Sequence, residues 1–222
     1  MQAIQIILFD GDGVLYHRPR QDQHLAHFLE AHGLKLRHPR VVEKALRAAR
    51  FDVLVGRIPR EAYFDAVLRF HGVTDAVLLA EGREVLFYDA ADIELFPGVI
   101  ETLDALQAAG VMLGAVVESP HPAVHHVGWL AEHGLSPGLW CEFVTSCEVG
   151  MLLSDLGIFH HTLRRFNVAL EQVVYVGHCS EAINCAAESG LITVAFMPDD
   201  PALPTDFAIA SFFGLPSLFM TE

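Results

Sequence analysis

The 222 residues are 52% apolar and 19% charged, with no low-complexity tract and no internal repeat, which excludes a disordered chain and gives length for one α/β domain or a core with a small second domain. Charge is uneven: residues 1–83 hold 12 basic and 10 acidic side chains, whereas residues 84–222 hold 2 and 18, so the second segment repels polyanions, and neither nucleic acid nor an anionic membrane is expected as a partner. Four cysteines, Cys141, Cys147, Cys179 and Cys185, match no zinc spacing in a chain too large to need disulfide staples, and free thiols are expected.

The opening MQAIQIILFD has no basic n-region, and its apolar run meets acid too early for a secretory signal or a membrane span. A soluble, cytoplasmic protein is expected. Ile4 to Phe9 is a short apolar run stopped by Asp-Gly-Asp-Gly, which predicts a buried parallel strand ending in a tight loop. From Asp22 to about Gly82 the periodicity turns helical, in QHLAHFLEAHGL, VVEKALRAAR and PREAYFDAVLRFHGV, with apolar residues three or four apart and glycines at the ends. After Phe96-Pro97-Gly98 the chain alternates: helix at IETLDALQAAG, strand at VMLGAVV, helix at PAVHHVGWLAEHGL, strand at CEFVTS, helix near IFHHTLRRFNV, strand at QVVYVG, helix at EAINCAAESG and strand at LITVAF. Strand and helix in strict turn predict a parallel sheet with helices on both faces, and sites in such sheets lie at the carboxyl ends of strands. Asp10, Asp12, Ser119 and His178 all fall just beyond predicted strand ends.

The segment IILFDGDGVL resembles the first motif of the haloacid dehalogenase superfamily: a hydrophobic strand, Asp-x-Asp-Gly, then an aliphatic pair. LFPGVIETLDALQAAGV resembles the family's re-entry into its core, and QVVYVGH followed twelve residues later by Gly190 resembles its fourth motif. The resemblance covers nearly the whole chain. It implies an α/β fold, a Rossmann-like parallel sheet core at residues 1–16 plus 95–222, with an α-helical cap inserted at 17–94. It also implies that Asp10 attacks phosphorus to form an aspartyl-phosphate, that Asp12 protonates the leaving oxygen and later activates water, and that Gly11 and Gly13 let the backbone approach the phosphate. The rival calcium-loop reading of the same residues lacks a ligand at Val14 and a closing acid at Gln21.

Three further motifs depart from the family pattern. Val117 stands where a phosphate-binding Thr or Ser belongs; Ser119, two residues on, is the nearest hydroxyl, although Ser119-Pro120 also reads as a helix N-cap and first helical residue. Leu153 replaces the Lys that neutralises phosphate and nucleophile, and no Lys or Arg occurs from Glu84 to Leu163. Arg18 and Arg20, on the cap side, are the nearest substitutes in sequence, and Asp155 reads as a helix-start acid. His178 replaces the carboxylate that holds Mg²⁺ directly, and Ala182 replaces the second Asp. Imidazole is a poor ligand for Mg²⁺, so a metal held by Asp10, Asp12 and His178 is expected to be weakly bound or absent, and His178 suits a softer metal or a hydrogen bond in its loop. No organic cofactor is expected. His121 and His125 have the i, i+4 spacing of a helical metal pair, without the intervening acid of a metalloprotease.

Each lost electrostatic group of this kind costs roughly 10² to 10³ in rate. The expectation is a phosphatase scaffold for a small phosphorylated molecule with weak or lost activity, or alternatively a non-catalytic module that binds a ligand or a protein in the same cleft; no protein partner is legible.

Overall fold

The computed structural model describes residues 3–198, 200 and 202–219. Its centre is a six-stranded parallel sheet in which β1 (Ile6–Phe9) lies between β4 (Met112–Val117) and β6 (Val173–Gly177). The edges are β5 (Trp140–Thr145) beside β4, and β7 (Ile192–Phe196) followed by β8 (Phe207–Ile209) beyond β6. Every β1 residue is fully buried because the sheet is covered on both faces. Ile7 and Phe9 join one apolar cluster with Val174, Val194 and Leu103, and Ile6 and Leu8 join the other with Val116, Phe159 and Ile183. Four helices supply these layers: α5 (Val99–Ala108), α6 (Ala123–Glu132), α8 (Leu156–Leu163) and α9 (Ser180–Glu188), with the single turn α7 (Ser146–Val149) after β5. The chain leaves β1 for β4 and β5 on one side, then returns to β6 on the other. That reversal opens a crevice at the carboxyl end of β1.

Between β1 and α5 the chain forms α1 (Gln23–Ala31), α2 (Pro39–Leu54), α3 (Arg60–Phe70) and α4 (Ala76–Ala91). These helices share an apolar cluster of their own around Leu25, Leu29, Val67, Leu68 and Leu79. They enter and leave through a short antiparallel pair, β2 (Tyr16–His17) and β3 (Glu94–Leu95), with Tyr16 opposite Leu95. The start of α1 is capped from across the block: Asp22 at its N-cap makes no side-chain cap, and the Asp89 carboxylate of α4 accepts from the His24 and Leu25 N–H groups at 3.0 and 2.9 Å. A two-pronged Arg83–Asp65 pair, 2.6 and 2.8 Å, ties α4 to α3.

The predicted alternation is present in order, but three details differ. The first strand begins at Ile6, not Ile4. Ser119 does not cap α6, which begins at Ala123 with Pro122 as its N-cap. The reason is Pro122 itself, since a residue before proline is pushed out of the helical region and His121 cannot start a helix. And α10 (Pro216–Phe219) and β8 stand in a region for which the sequence predicted no element.

Candidate functional site

The crevice holds a cavity of about 440 Å³ between the strand ends and the helical block. Asp10 lies on its floor, directly after β1. The Asp10 N–H donates to the Val176 carbonyl at 3.0 Å, and its Oδ1 accepts the Gly11 N–H at 2.7 Å. Burial is the largest influence on its carboxyl and pushes its pKa up to about 7; the Gly11 N–H works against this, and the nearby Asp12 and Glu118 carboxylates add to it. A cation facing Asp10 would reverse that shift, and the residue aligned with the family's Lys is Leu153, buried in an apolar cluster.

Asp12 points into the cavity and pairs with Arg18. Arg18 also donates from Nε to the Ala90 carbonyl at 3.1 Å, and its guanidinium sits 5.3 Å from the Tyr16 ring centre. Arg20 is turned away, pairing with Asp92 and Glu94. Gly11 is required by its neighbours: a Cβ there would meet the Tyr16 hydroxyl at 2.9 Å and Val117 at 3.2 Å. Gly13 has φ +77 and faces the His178 ring, which a Cβ would meet at 3.0 Å. Asp10, Asp12, Arg18 and Ser119 all line this cavity, whereas His178 packs behind Gly13 and is not among its lining residues.

His178 Nδ1 donates to the Phe196 carbonyl at 3.2 Å, the loop hydrogen bond foreseen as one of its roles. Among the described residues no three His, Cys, Asp or Glu side chains stand together in a way that could hold a metal ion. Mg²⁺ requires a near-octahedral shell of oxygens, and the structure does not gather Asp10, Asp12 and His178 into such a set. His121 and His125 are not a helical metal pair either. His121 precedes α6, and a single guanidinium nitrogen of Arg60, from α3, lies 3.3 and 3.2 Å from their Nδ1 atoms. Arginine can only donate, so both Nδ1 atoms accept. Burial is the largest influence that lowers the His121 pKa to about 2, and the Arg60 charge acts in the same direction.

The wall beside Val117 is a buried polar chain. Ser119 Oγ accepts the His121 N–H at 3.0 Å and is hydrogen-bonded to His126 Nε2 at 2.8 Å, while His126 Nδ1 is hydrogen-bonded to the Tyr16 hydroxyl at 3.2 Å. Burial lowers the His126 pKa to about 3 and raises that of Tyr16. Asp155, as expected, caps α8, accepting the Gly157 N–H at 2.8 Å. Sequence reasoning did not find Tyr16, His126, Glu118 or Arg50 as cavity residues. Tyr16 and Glu118 follow the motif positions by a few residues and could have been sought there; nothing local marks Arg50, which arrives from α2. Six carboxylates, Asp10, Asp12, Asp22, Asp89, Glu118 and Glu181, line the cavity against two guanidiniums, Arg18 and Arg50.

Among the described residues no helix is long and apolar enough to cross a membrane. Two archaeal proteins named glyceraldehyde 3-phosphate phosphatase are similar in sequence. That of Methanopyrus kandleri is 33% identical over 135 residues, 60% of this chain and 57% of its own length. That of Methanocaldococcus jannaschii is 28% identical over 137 residues, 60% of this chain and 58% of its own. The chain thus matches less than two thirds of either relative. The fold is shared with a 2-haloacid dehalogenase from Pseudomonas syringae (TM-score 0.73, 21% identity, covering 97% of this chain and 98% of that one). It is shared also with a magnesium-bound HAD-hydrolase from Bacillus subtilis (TM-score 0.74, 19% identity, 98% and 99%). Residues 4–190 match the haloacid dehalogenase-like hydrolase family, and with most of its length so matched the chain belongs to that family.

Proposed function

We propose that the protein is a phosphomonoester phosphatase scaffold, acting through an aspartyl-phosphate on Asp10, whose turnover is weak or lost. One observation carries the reading: Asp10 sits at the carboxyl end of the central strand on the cavity floor, yet its carboxyl is held up to about 7 because burial is not offset by a facing cation. In this reading residues 1–16 plus 95–222 form the core, and residues 17–94 form a cap that closes the cavity over a small phosphorylated molecule. The ionised Asp10 attacks phosphorus. The ester P–O bond breaks, and Asp12, freed from Arg18 and having taken up a proton from solvent, passes that proton to the departing oxygen. Asp12 then takes a proton from the water that cleaves the aspartyl-phosphate. Mg²⁺, which members of the family generally use, would supply charge neutralisation; the donors here do not fit it, and no step depends on it.

The phosphatase name of the similar archaeal proteins supports this substrate class. A second reading, a non-catalytic binding module, is favoured by the Arg18–Asp12 pair, which occupies the acid/base residue. Turnover of an aryl phosphate by wild type and Asp10→Asn separates the two. Slow hydrolysis abolished by Asp10→Asn supports the phosphatase; hydrolysis unchanged by that substitution rules it out.

A further inference from the structure

Ser119 is 4% exposed, lines the cavity with Asp10, and lies at the end of a hydrogen-bonded chain through His126 to Tyr16. Which way that chain runs decides what Ser119 can do. A neutral imidazole has one N–H and one acceptor nitrogen, and a hydroxyl has one proton and two acceptor sites. If Tyr16 donates to His126 Nδ1, the imidazole proton is on Nε2 and is donated to Ser119 Oγ. The His121 N–H already donates to the same oxygen. Both acceptor sites are then filled, and the Ser119 proton is free for a group in the cavity. If the chain runs the other way, Ser119 spends its proton on His126 Nε2 and offers the cavity nothing.

One observation favours the first direction. The Arg18 guanidinium lies beside Tyr16, 5.3 Å from its ring centre, and acts on the phenol both by its charge and by a side-chain hydrogen bond; arginine can only donate, so the phenol oxygen accepts from it and keeps its own proton for His126. Burial also keeps both partners neutral, Tyr16 as phenol and His126 as imidazole, so neither direction is overridden by a charge on the chain itself. Resting on the phosphatase reading of the cavity, we infer that Ser119 donates its hydroxyl proton to a phosphate oxygen of the bound ligand, in place of the hydroxyl lost at Val117, and that Tyr16 and His126 are positioning residues that free it to do so.

The test is the side-chain ¹⁵N–¹H spectrum of His126 in the wild-type protein, assigned with His126→Gln, together with calorimetric titration of inorganic phosphate. The inference predicts the Nε2–H tautomer in wild type. Phosphate affinity should fall about tenfold or more in Ser119→Ala, as expected for a lost hydrogen bond to a charged group, and should be largely kept in Ser119→Thr. Tyr16→Phe should weaken phosphate binding and move the His126 proton to Nδ1, a change that a merely structural role for Tyr16 would not produce. The Nδ1–H tautomer in wild type overturns the inference, as does unchanged phosphate affinity in Ser119→Ala or no phosphate binding by wild type. The catalytic reading fails separately: wild type that binds phosphate through Ser119 but shows no Asp10-dependent turnover refutes catalysis and leaves this assignment standing.

Discussion

Arg18 ties Asp12 to the helical block: it pairs with the Asp12 carboxylate and donates to the Ala90 carbonyl at the end of α4. The Asp12 side chain is 55% exposed, and exposed pairs of this kind contribute no more than about 1 kcal/mol. Arg18→Gln should therefore leave thermal stability nearly unchanged. Arg18 is, however, one of two guanidiniums in a cavity rich in carboxylates, so its loss should weaken phosphate binding by about tenfold or more. Calorimetry on the folded variant measures this, and equal affinity would show that Arg18 serves only as a tether.

Asp10 makes the protein's stability depend on pH. Its pKa is raised in the folded state from 3.8 to about 7, so the native protein binds this proton more tightly than the unfolded chain does. The contribution is fully favourable at low pH and is lost as pH rises from about 4 through about 7. Asp10→Asn removes that loss. Wild type and variant should have similar stability near pH 4, and the variant should be more stable near pH 8 by on the order of 4 kcal/mol. Denaturant unfolding at both values checks the sign. Any residual Asp10-dependent turnover should rise with pH across the same window, because the nucleophile is the ionised form.

Gly56 fixes the helical block against the sheet domain. It follows α2 with φ +66, and a Cβ there would lie 2.2 Å from the Cys147 carbonyl oxygen. Gly56→Ala combines left-handed strain of about 1 kcal/mol or more with a backbone clash that no rotamer relieves. A loss of roughly 2 kcal/mol or more is expected in thermal unfolding. A neutral outcome would mean that the block moves freely away from α7.

The sheet was legible because its strands are continuous apolar runs ending in acid or glycine, as in Ile6–Phe9 before Asp10. The three helices with clear apolar periodicity were legible for the same reason. α4 was not named: in AVLLAEGREVLFYDAA apolar residues lie on all sides, because Leu79 faces the helical cluster while Phe87 packs toward the core aromatics. β8 was missed because FAI is three residues long and paired on one side. Of the cavity lining, Asp10, Asp12 and Ser119 were expected from strand ends and motif spacing, and Arg18 from its nearness in sequence to the first motif. Tyr16–His126 was not, since it joins residues 110 apart in sequence. The turning of His178 onto Phe196 is set by a neighbouring strand.

The missing supports can be put back. Val117 ends β4, Leu153 lines the cavity with its N–H 3.4 Å from the Glu118 carboxylate, and His178 follows β6. A Lys at 153 alone would place a charge in an apolar cluster and an Asp at 178 alone would add repulsion near Asp10, so neither single change should suffice. The most direct measurement is steady-state hydrolysis of an aryl phosphate with Mg²⁺ by wild type, by the triple variant Val117→Thr, Leu153→Lys, His178→Asp, and by that variant carrying Asp10→Asn. A scaffold that has lost only its supporting groups predicts turnover in the folded triple variant well above wild type and abolished by Asp10→Asn. No gain, a gain that survives loss of Asp10, or wild-type turnover already at about 1 s⁻¹ or more would contradict it.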